Sequence, residues 1–243
     1  MRREGRHSAW DTHQIASQGE SELLRMHFEG RARVEDAVYG DLDIDQVMAR
    51  RGRAVELIID PSDLNGPRVV EHVGRLKPTA ALVVGGGMIW DALMRVLPER
   101  TINVHLGLSP RYRGSATMFW PHYMLEPWYV GTTFHLLSPA PDAGPVLHHE
   151  AVTLEIDMGI HETAATAVEQ SADLLPALSE YLLTATRIRT QDQPLVGKTW
   201  MVRDFQPRHL RQIYEVYDDH VVRALWSSIP DSSDLKLVRG DFA

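Results

Sequence analysis

The chain has 243 residues, 44% of them hydrophobic and 24% charged, which suits one large α/β domain with a small appendage. It contains no cysteine, which excludes a disulfide scaffold, a thiolate nucleophile and any Cys-ligated zinc or iron–sulfur site. The formal net charge of −8 leaves no basic surplus for non-specific nucleic-acid binding. No apolar run has the length of a membrane span, and the basic start Met1–His7 is not followed by the apolar stretch of a signal peptide. Residues 1–35 are polar and weakly helical, with Leu23, Leu24, Met26 and Phe28 as their dense apolar group. Val55–Ile59 reads as a strand stopped by Asp60-Pro61. A helix follows, with Asn65 as its expected N-cap, Pro67 in its first turn, and Val69, Val70, Val73 and Leu76 on one face. Lys77-Pro78 ends it. Ala80–Val84 is a continuous apolar run of strand length, as expected of a strand buried on both faces.

Gly85-Gly86-Gly87 then turns the chain into an amphipathic helix marked by Ile89, Leu93, Val96 and Leu97. Ile102–Leu106 is the next strand, and a helix start is expected near Ser115. Val130–Leu137 and Val146–Leu154 are extended, joined by the turn-rich Ser138–Gly144. A long helical pattern covers about 161–186, with Pro176 as an expected kink. From Val196 the tail reads as a short strand, then a helix beginning near Pro207, then a polar end. Strands alternating with helices predict βαβ units and a mostly parallel sheet, whose ligands sit at the carboxyl ends of the strands. Gly85-Gly86-Gly87 and Asn103-Val104-His105 occupy two such ends and should lie side by side.

Asn103 and His105 are two residues apart on a strand, so both side chains share one face. Polar groups at the end of a buried strand need partners or a task. Asp142 follows in the turn Asp142-Ala143-Gly144-Pro145. If the three converge, they supply an amide dipole, a proton carrier suited to neutral pH, and a carboxylate to orient it. A strand-end histidine is as readily a hydrogen-bonded structural group, and the residues alone leave both readings open. His148-His149-Glu150 invites a metal, but adjacent strand residues point to opposite faces, which argues against one shared ion. Phe119, Trp120, Tyr123, Trp128 and Tyr129 read first as core packing.

Three segments taken together resemble a known family. They are Asn103-Val104-His105-Leu106-Gly107-Leu108-Ser109-Pro110-Arg111-Tyr112-Arg113-Gly114, then Gly131-Thr132-Thr133-Phe134-His135, then Asp142-Ala143-Gly144-Pro145-Val146. In order and spacing they are similar to the folate-dependent formyltransferases, which include glycinamide ribonucleotide, methionyl-tRNA and amino-sugar N-formyltransferases. The resemblance is tight over about 80–155. It implies a Rossmann-like, mostly parallel α/β sheet. It implies Asn103, His105 and Asp142 as the catalytic trio, and 10-formyltetrahydrofolate as co-substrate. Asn103, and His105 when protonated, would stabilise the tetrahedral oxyanion, while His105 and Asp142 move the amine proton towards the departing folate nitrogen. The pterin is expected against Gly86, Gly87, Met88 and Ile89, with Pro139, Ala140, Pro141 and Asp142 walling its other side. Ser109, Arg111, Tyr112, Arg113 and Gly114 form the expected substrate-binding loop, its arginines suited to an anionic group. His135 is expected to be hydrogen-bonded near the site.

Met1–Trp10 lacks the apolar first strand with which most members open, so the sheet is expected to lack a typical first strand. The formyltransferase catalytic domain is expected over residues 1–190 and a short C-terminal extension over 191–243, without an RNA-binding barrel. The expected activity is N-formylation of a primary amine of a small molecule, with a nucleotide-linked amino sugar or a natural-product precursor as acceptor. The rivals are a formyltetrahydrofolate hydrolase, with water as acceptor, and an inactive folate- or partner-binding relic. Neither a metal, a nucleic acid nor a membrane is an expected partner. A homodimer through Trp200, Tyr214 and Trp226 is possible, and a cytoplasmic location is expected.

Overall fold

The computed structural model describes residues 18–42, 57–194 and 197–243. The chain's opening, Met1–Trp10, lies outside the described residues, as do Val55 and Glu56 of the expected first strand. The rest of that stretch, Leu57 to Asp60, runs without strand pairing. Helix α1 spans Gln18–Tyr39 and helix α2 spans Pro67–Leu76. Pro67 occupies the first turn of α2, but the N-cap is Gly66. Asn65 has a different job: its Nδ2 donates to the Met88 carbonyl at 2.8 Å, and its Oδ1 accepts from the Trp90 N–H at 2.7 Å. It therefore clamps the loop that follows the triple glycine. Lys77, in left-handed backbone, ends α2.

Strand β1 is Ala81–Val84, helix α3 is Asp91–Met94, and strand β2 is Thr101–His105. The pair Arg113–Gly114 forms β3, and Trp120–Tyr123 forms the short helix α4. Strands β4 (Gly131–Leu136) and β5 (Val146–Ala151) precede the 25-residue helix α5 (Ile160–Thr184). Helix α5 continues through Pro176. Strand β6 is Thr199–Trp200, and beyond it Pro207–His209 forms a single 3₁₀ turn and Gln212–Val216 a π-helical one.

The main sheet has the order β1-β2-β4-β5. β1 and β2 pair in parallel, whereas β2–β4 and β4–β5 are antiparallel. β3 and β6 form a second, parallel pair. The β1–β2 register sets Val83 beside Asn103 and Val84 beside Val104, so the glycine turn and the Asn-x-His end are neighbours, as the topology predicts. The expectation that β1 is buried on both faces fails. Leu82 and Val84 are 37% and 62% exposed, because among the described residues β1 is the edge of its sheet and its alternate side chains face outward.

Ile102, Val104 and Phe134 pack with Leu147, Leu178 and Leu182 to join the sheet to α5. A second core gathers Leu23 of α1, Phe119, Trp120, Ile160, Phe205, Leu210 and Ile213. Helix α1 approaches α5 where Gly30 lies against the His161 ring; a Cβ there would sit 3.2 Å from its Cδ2. The C-terminal segment is strapped on at several points. Val146 and Gln191 exchange backbone hydrogen bonds, and Trp200 stacks on Trp120 with centroids 3.9 Å apart. His148 Nδ1 accepts the Gly240 N–H and His149 Nδ1 accepts that of Val238, each at 3.0 Å. These two histidines hold the tail. Among the described residues no group of three His, Asp or Glu side chains is placed to hold a metal.

Candidate active site

The site forms at the carboxyl end of β2. Asn103 Nδ2 donates to His135 Nε2 at 3.0 Å and to Asp142 Oδ1 at 3.3 Å. His135 Nε2 is thus an acceptor, and its Nδ1–H donates to the Leu136 carbonyl at 2.8 Å, which fixes its tautomer. His105 Nε2 lies 2.8 Å from the Tyr112 carbonyl, an acceptor only, so this nitrogen carries a proton. The other nitrogen, Nδ1, faces Asp142 Oδ1 at 3.3 Å. Asp142 Oδ2 accepts the Gly114 N–H at 2.9 Å. The sequence-predicted trio therefore converges, with His135 and Gly114 completing the ring around the carboxylate.

Asp142 takes a positive φ of 49°, an uncommon conformation that an aspartate tolerates better than most residues. The turn is held from outside by Gln193, whose Nε2 donates to the Asp142 carbonyl at 3.0 Å and to that of Gly144 at 2.6 Å. Gln193 lies in a tail segment with no motif, and nothing in the sequence singled it out.

Burial pushes the His105 imidazole below its ordinary pKa, while the Asp142 carboxylate and the Tyr112 carbonyl pull it back up. For Asp142, burial works against the charge, but its polar surroundings, the donating Gly114 N–H among them, outweigh it and hold the carboxyl below its usual range. A neutral imidazole and an ionised carboxylate therefore face each other at neutral pH.

The trio opens into a cavity of about 800 Å³, at the upper end of the range for small-molecule sites. Gly85, Gly86, Gly87, Met88 and Ile89 line one side of it, with Leu137, Ser138, Ala140 and Pro141. Of the residues expected against the pterin, Pro139 alone is not in the lining. Gly85 and Gly86 have φ of 66° and 101°, and a Cβ on either would meet nothing within 4 Å, so open space lies directly against the backbone.

The expected substrate loop is placed differently from the expectation. Among its five residues, Gly114 lines the cavity. Arg111 donates to Glu126 at 2.7 Å and lies over the Tyr129 ring, and the buried Tyr112 donates its hydroxyl to the same carboxylate. Ser109 is buried, its N–H donating to Thr133 Oγ1 at 2.9 Å. Arg113 is buried, its Nε without a partner among the described residues. These side chains brace the loop whose Tyr112 carbonyl holds His105. Trp200 and Tyr214, suggested above for a dimer, are engaged within the chain; Trp226 remains exposed.

No family model matches the chain. It is 31% identical over 154 residues to the methionyl-tRNA formyltransferase of Trichlorobacter lovleyi, covering 60% of this chain and 48% of that protein. The chain spans about half the length of the curated relatives it matches. Among solved structures, phosphoribosylglycinamide formyltransferase from Anaplasma phagocytophilum superposes with a TM-score of 0.52 at 11% identity, over 70% of this chain and 91% of that one. A sugar N-formyltransferase from a Shewanella species does so with a TM-score of 0.50 at 17% identity, over 76% and 74%. These identities speak to the fold, and the curated sequence match carries the relationship. Over about 60% of its length the chain is thus similar in sequence to methionyl-tRNA formyltransferases, and its fold is that of the folate-dependent formyltransferases.

Proposed function

We propose that the chain transfers the formyl group of 10-formyltetrahydrofolate to a primary amine of a small molecule, with Asn103, His105 and Asp142 as its catalytic residues. The observation that carries this reading is the convergence of the three side chains on a cavity bordered by an open glycine backbone. That border suits the folate's flat, hydrogen-bonding ring. Main-chain groups at Gly85–Gly87 can reach a ring edge, and Ile89 and Leu137 offer apolar contact. When bound, the folate supplies the formyl carbon.

The protein's part is proton management and electrostatics. His105 donates from Nε2 to Tyr112, so its Nδ1 lone pair is directed at Asp142. A lone pair and a carboxylate oxygen 3.3 Å apart, with no proton between them, form a pair poised to take one up. The proton available is the one an attacking amine must lose. Once it is taken, the imidazolium lies between two acceptors and holds the proton until the folate nitrogen accepts it. Asn103 directs both Nδ2 hydrogens at protein acceptors. The longer, to Asp142, is the one to release to the negative charge developing on the formyl oxygen.

The test is consumption of 10-formyltetrahydrofolate with and without a panel of amines. Acceptor-dependent turnover, lost by at least 10³-fold in His105→Ala, is the expected outcome. Turnover indifferent to every amine would assign the activity to hydrolysis instead.

A further inference from the structure

The cavity does not end at the trio. On the side away from the glycine turn, it runs between α1, α5 and the segment that follows β6. Its walls there are apolar: Val34 from α1, Ala164, Ala165 and Val168 from α5, and Phe119 and Phe205 from the second core. The α5 residues recur at the spacing of one helix face. Gly114 connects this recess to the chemistry, since its N–H holds Asp142 and the chain continues from it along the lining to Phe119.

Two further lining residues, His27 and His161, are not used by the reaction, and Tyr214, outside the lining, backs them. His27 Nδ1 and His161 Nε2 lie 2.8 and 3.2 Å from the Tyr214 hydroxyl, and the two imidazole rings stand 4.6 Å apart. Burial lowers the pKa of His27 to about 3 and that of His161 to about 4, so both are neutral in use. The Arg31 guanidinium is the permanent cation in the lining among the described residues, and Glu35 already accepts from it at 2.7 Å. Arg203 and Arg208 line a separate cleft, with Trp200 bordering both spaces. Among the described residues a phosphate placed in the recess would meet no cation but Arg31, for which it would compete with Glu35, and its desolvation there is costly.

We infer that this recess is the acceptor subsite, and that it takes a primary amine on an apolar body ending in an uncharged hydrogen-bonding group, in preference to a phosphate-bearing acceptor. The inference rests on the formyl-transfer reading. The apolar body lies against Val34, Ala165, Val168 and Phe119, its far end meets the His27 and His161 imidazoles that Tyr214 holds from behind, and its amine reaches the trio. No covalent step is added: the amine nitrogen bonds to the formyl carbon, the folate nitrogen leaves, and one proton passes between them.

The experiment is calorimetric titration of the full chain, saturated with 5-formyltetrahydrofolate, with three probes: tyramine, phenethylamine and a uridine-diphosphate amino sugar. Tyramine is expected to bind at least several-fold tighter than phenethylamine, and the nucleotide sugar weakest. Tyr214→Phe should narrow the gap between the first two. Val168→Trp, which fills the recess, should abolish amine binding, with folate binding retained as the control on folding; Ala164→Phe serves if that chain does not fold. Preferred binding of the nucleotide sugar, or amine binding untouched by the filled recess, overturns the inference. Folate binding with no amine binding overturns it too, while leaving formyl transfer standing. Absence of folate binding by the folded chain removes the reading beneath it.

Discussion

His105 depends on a neighbour without a side chain. A Cβ at Gly107 would lie 2.7 Å from His105 Nε2, 2.6 Å from the Tyr112 carbonyl and 2.6 Å from Thr117 Cβ. The first two are the partners of the hydrogen bond that fixes the His105 tautomer. Thr133 Oγ1 donates to the Gly107 carbonyl at 2.6 Å, so the backbone there has little freedom to retreat. Gly107→Ala must displace the imidazole or the loop, at an overpacking cost of about 1–3 kcal/mol. We expect kcat to fall at least 10-fold, with folate affinity within a few-fold, because the glycine turn lies on another strand. Kinetics beside a binding titration check this; wild-type kcat in a chain of unchanged stability would contradict it. At this scale Asn103 and His105 drew notice as polar residues two apart on a buried strand, while Asp142 joined them through the resemblance to the formyltransferases. Gln193 was not, because a side-chain amide gripping a distant main chain leaves no pattern. The placement of the arginines in the expected substrate loop was hidden for a related reason. Charge suggests a ligand, yet Arg111 is satisfied by Glu126, fifteen residues away in sequence and invisible to local reading.

The elements show the same division between local and long-range information. The helical faces of 67–76 and 160–184 and the strands at 81–84, 101–105, 131–136 and 146–151 follow from periodicity and breakers. Strand partnership does not. The reading of β1 as doubly buried assumed neighbours that the described residues do not provide. Asn65 illustrates the point, since an N-cap and a loop clamp demand the same side chain, and only the tertiary position of Met88 and Trp90 decides between them. Helix α1 was the least legible element. Its sequence is polar with one dense apolar group, and its helical length comes from docking on α5 across Gly30 and from exposed pairs such as Arg25 with Glu22 and Glu29. That helix then lines the cavity beside the trio, so on the proposed reading the least conspicuous part of the sequence bears on acceptor choice.

At the scale of the whole molecule, the chain buries histidines in the neutral form. Burial holds His27 and His122 at about 3 and His149 and His161 at about 4, below the ordinary value near 6.5. Above that value neither the folded nor the unfolded state binds these protons. Below it the unfolded chain takes them up and the folded chain does not, so each group removes about 1.4 kcal/mol of stability per pH unit until its folded pKa is reached. Asp219, raised to about 6 by burial, acts in the opposite sense, as one group against these four and against His105, His148 and His209, which burial lowers too. Asp142, held below its ordinary value, adds a further loss only in stronger acid. Thermal melts should therefore show Tm falling on the order of 10 °C per pH unit between pH 6 and pH 4; a midpoint flat over that interval would contradict the neutral burial of these rings. Formyl transfer by this chain requires that the cavity beside the trio be a folate site. The most direct test is calorimetric titration of the full chain with 5-formyltetrahydrofolate, a stable stand-in for the reactive donor. One site per chain with a micromolar or tighter Kd is expected. A folded chain that shows no binding would contradict it.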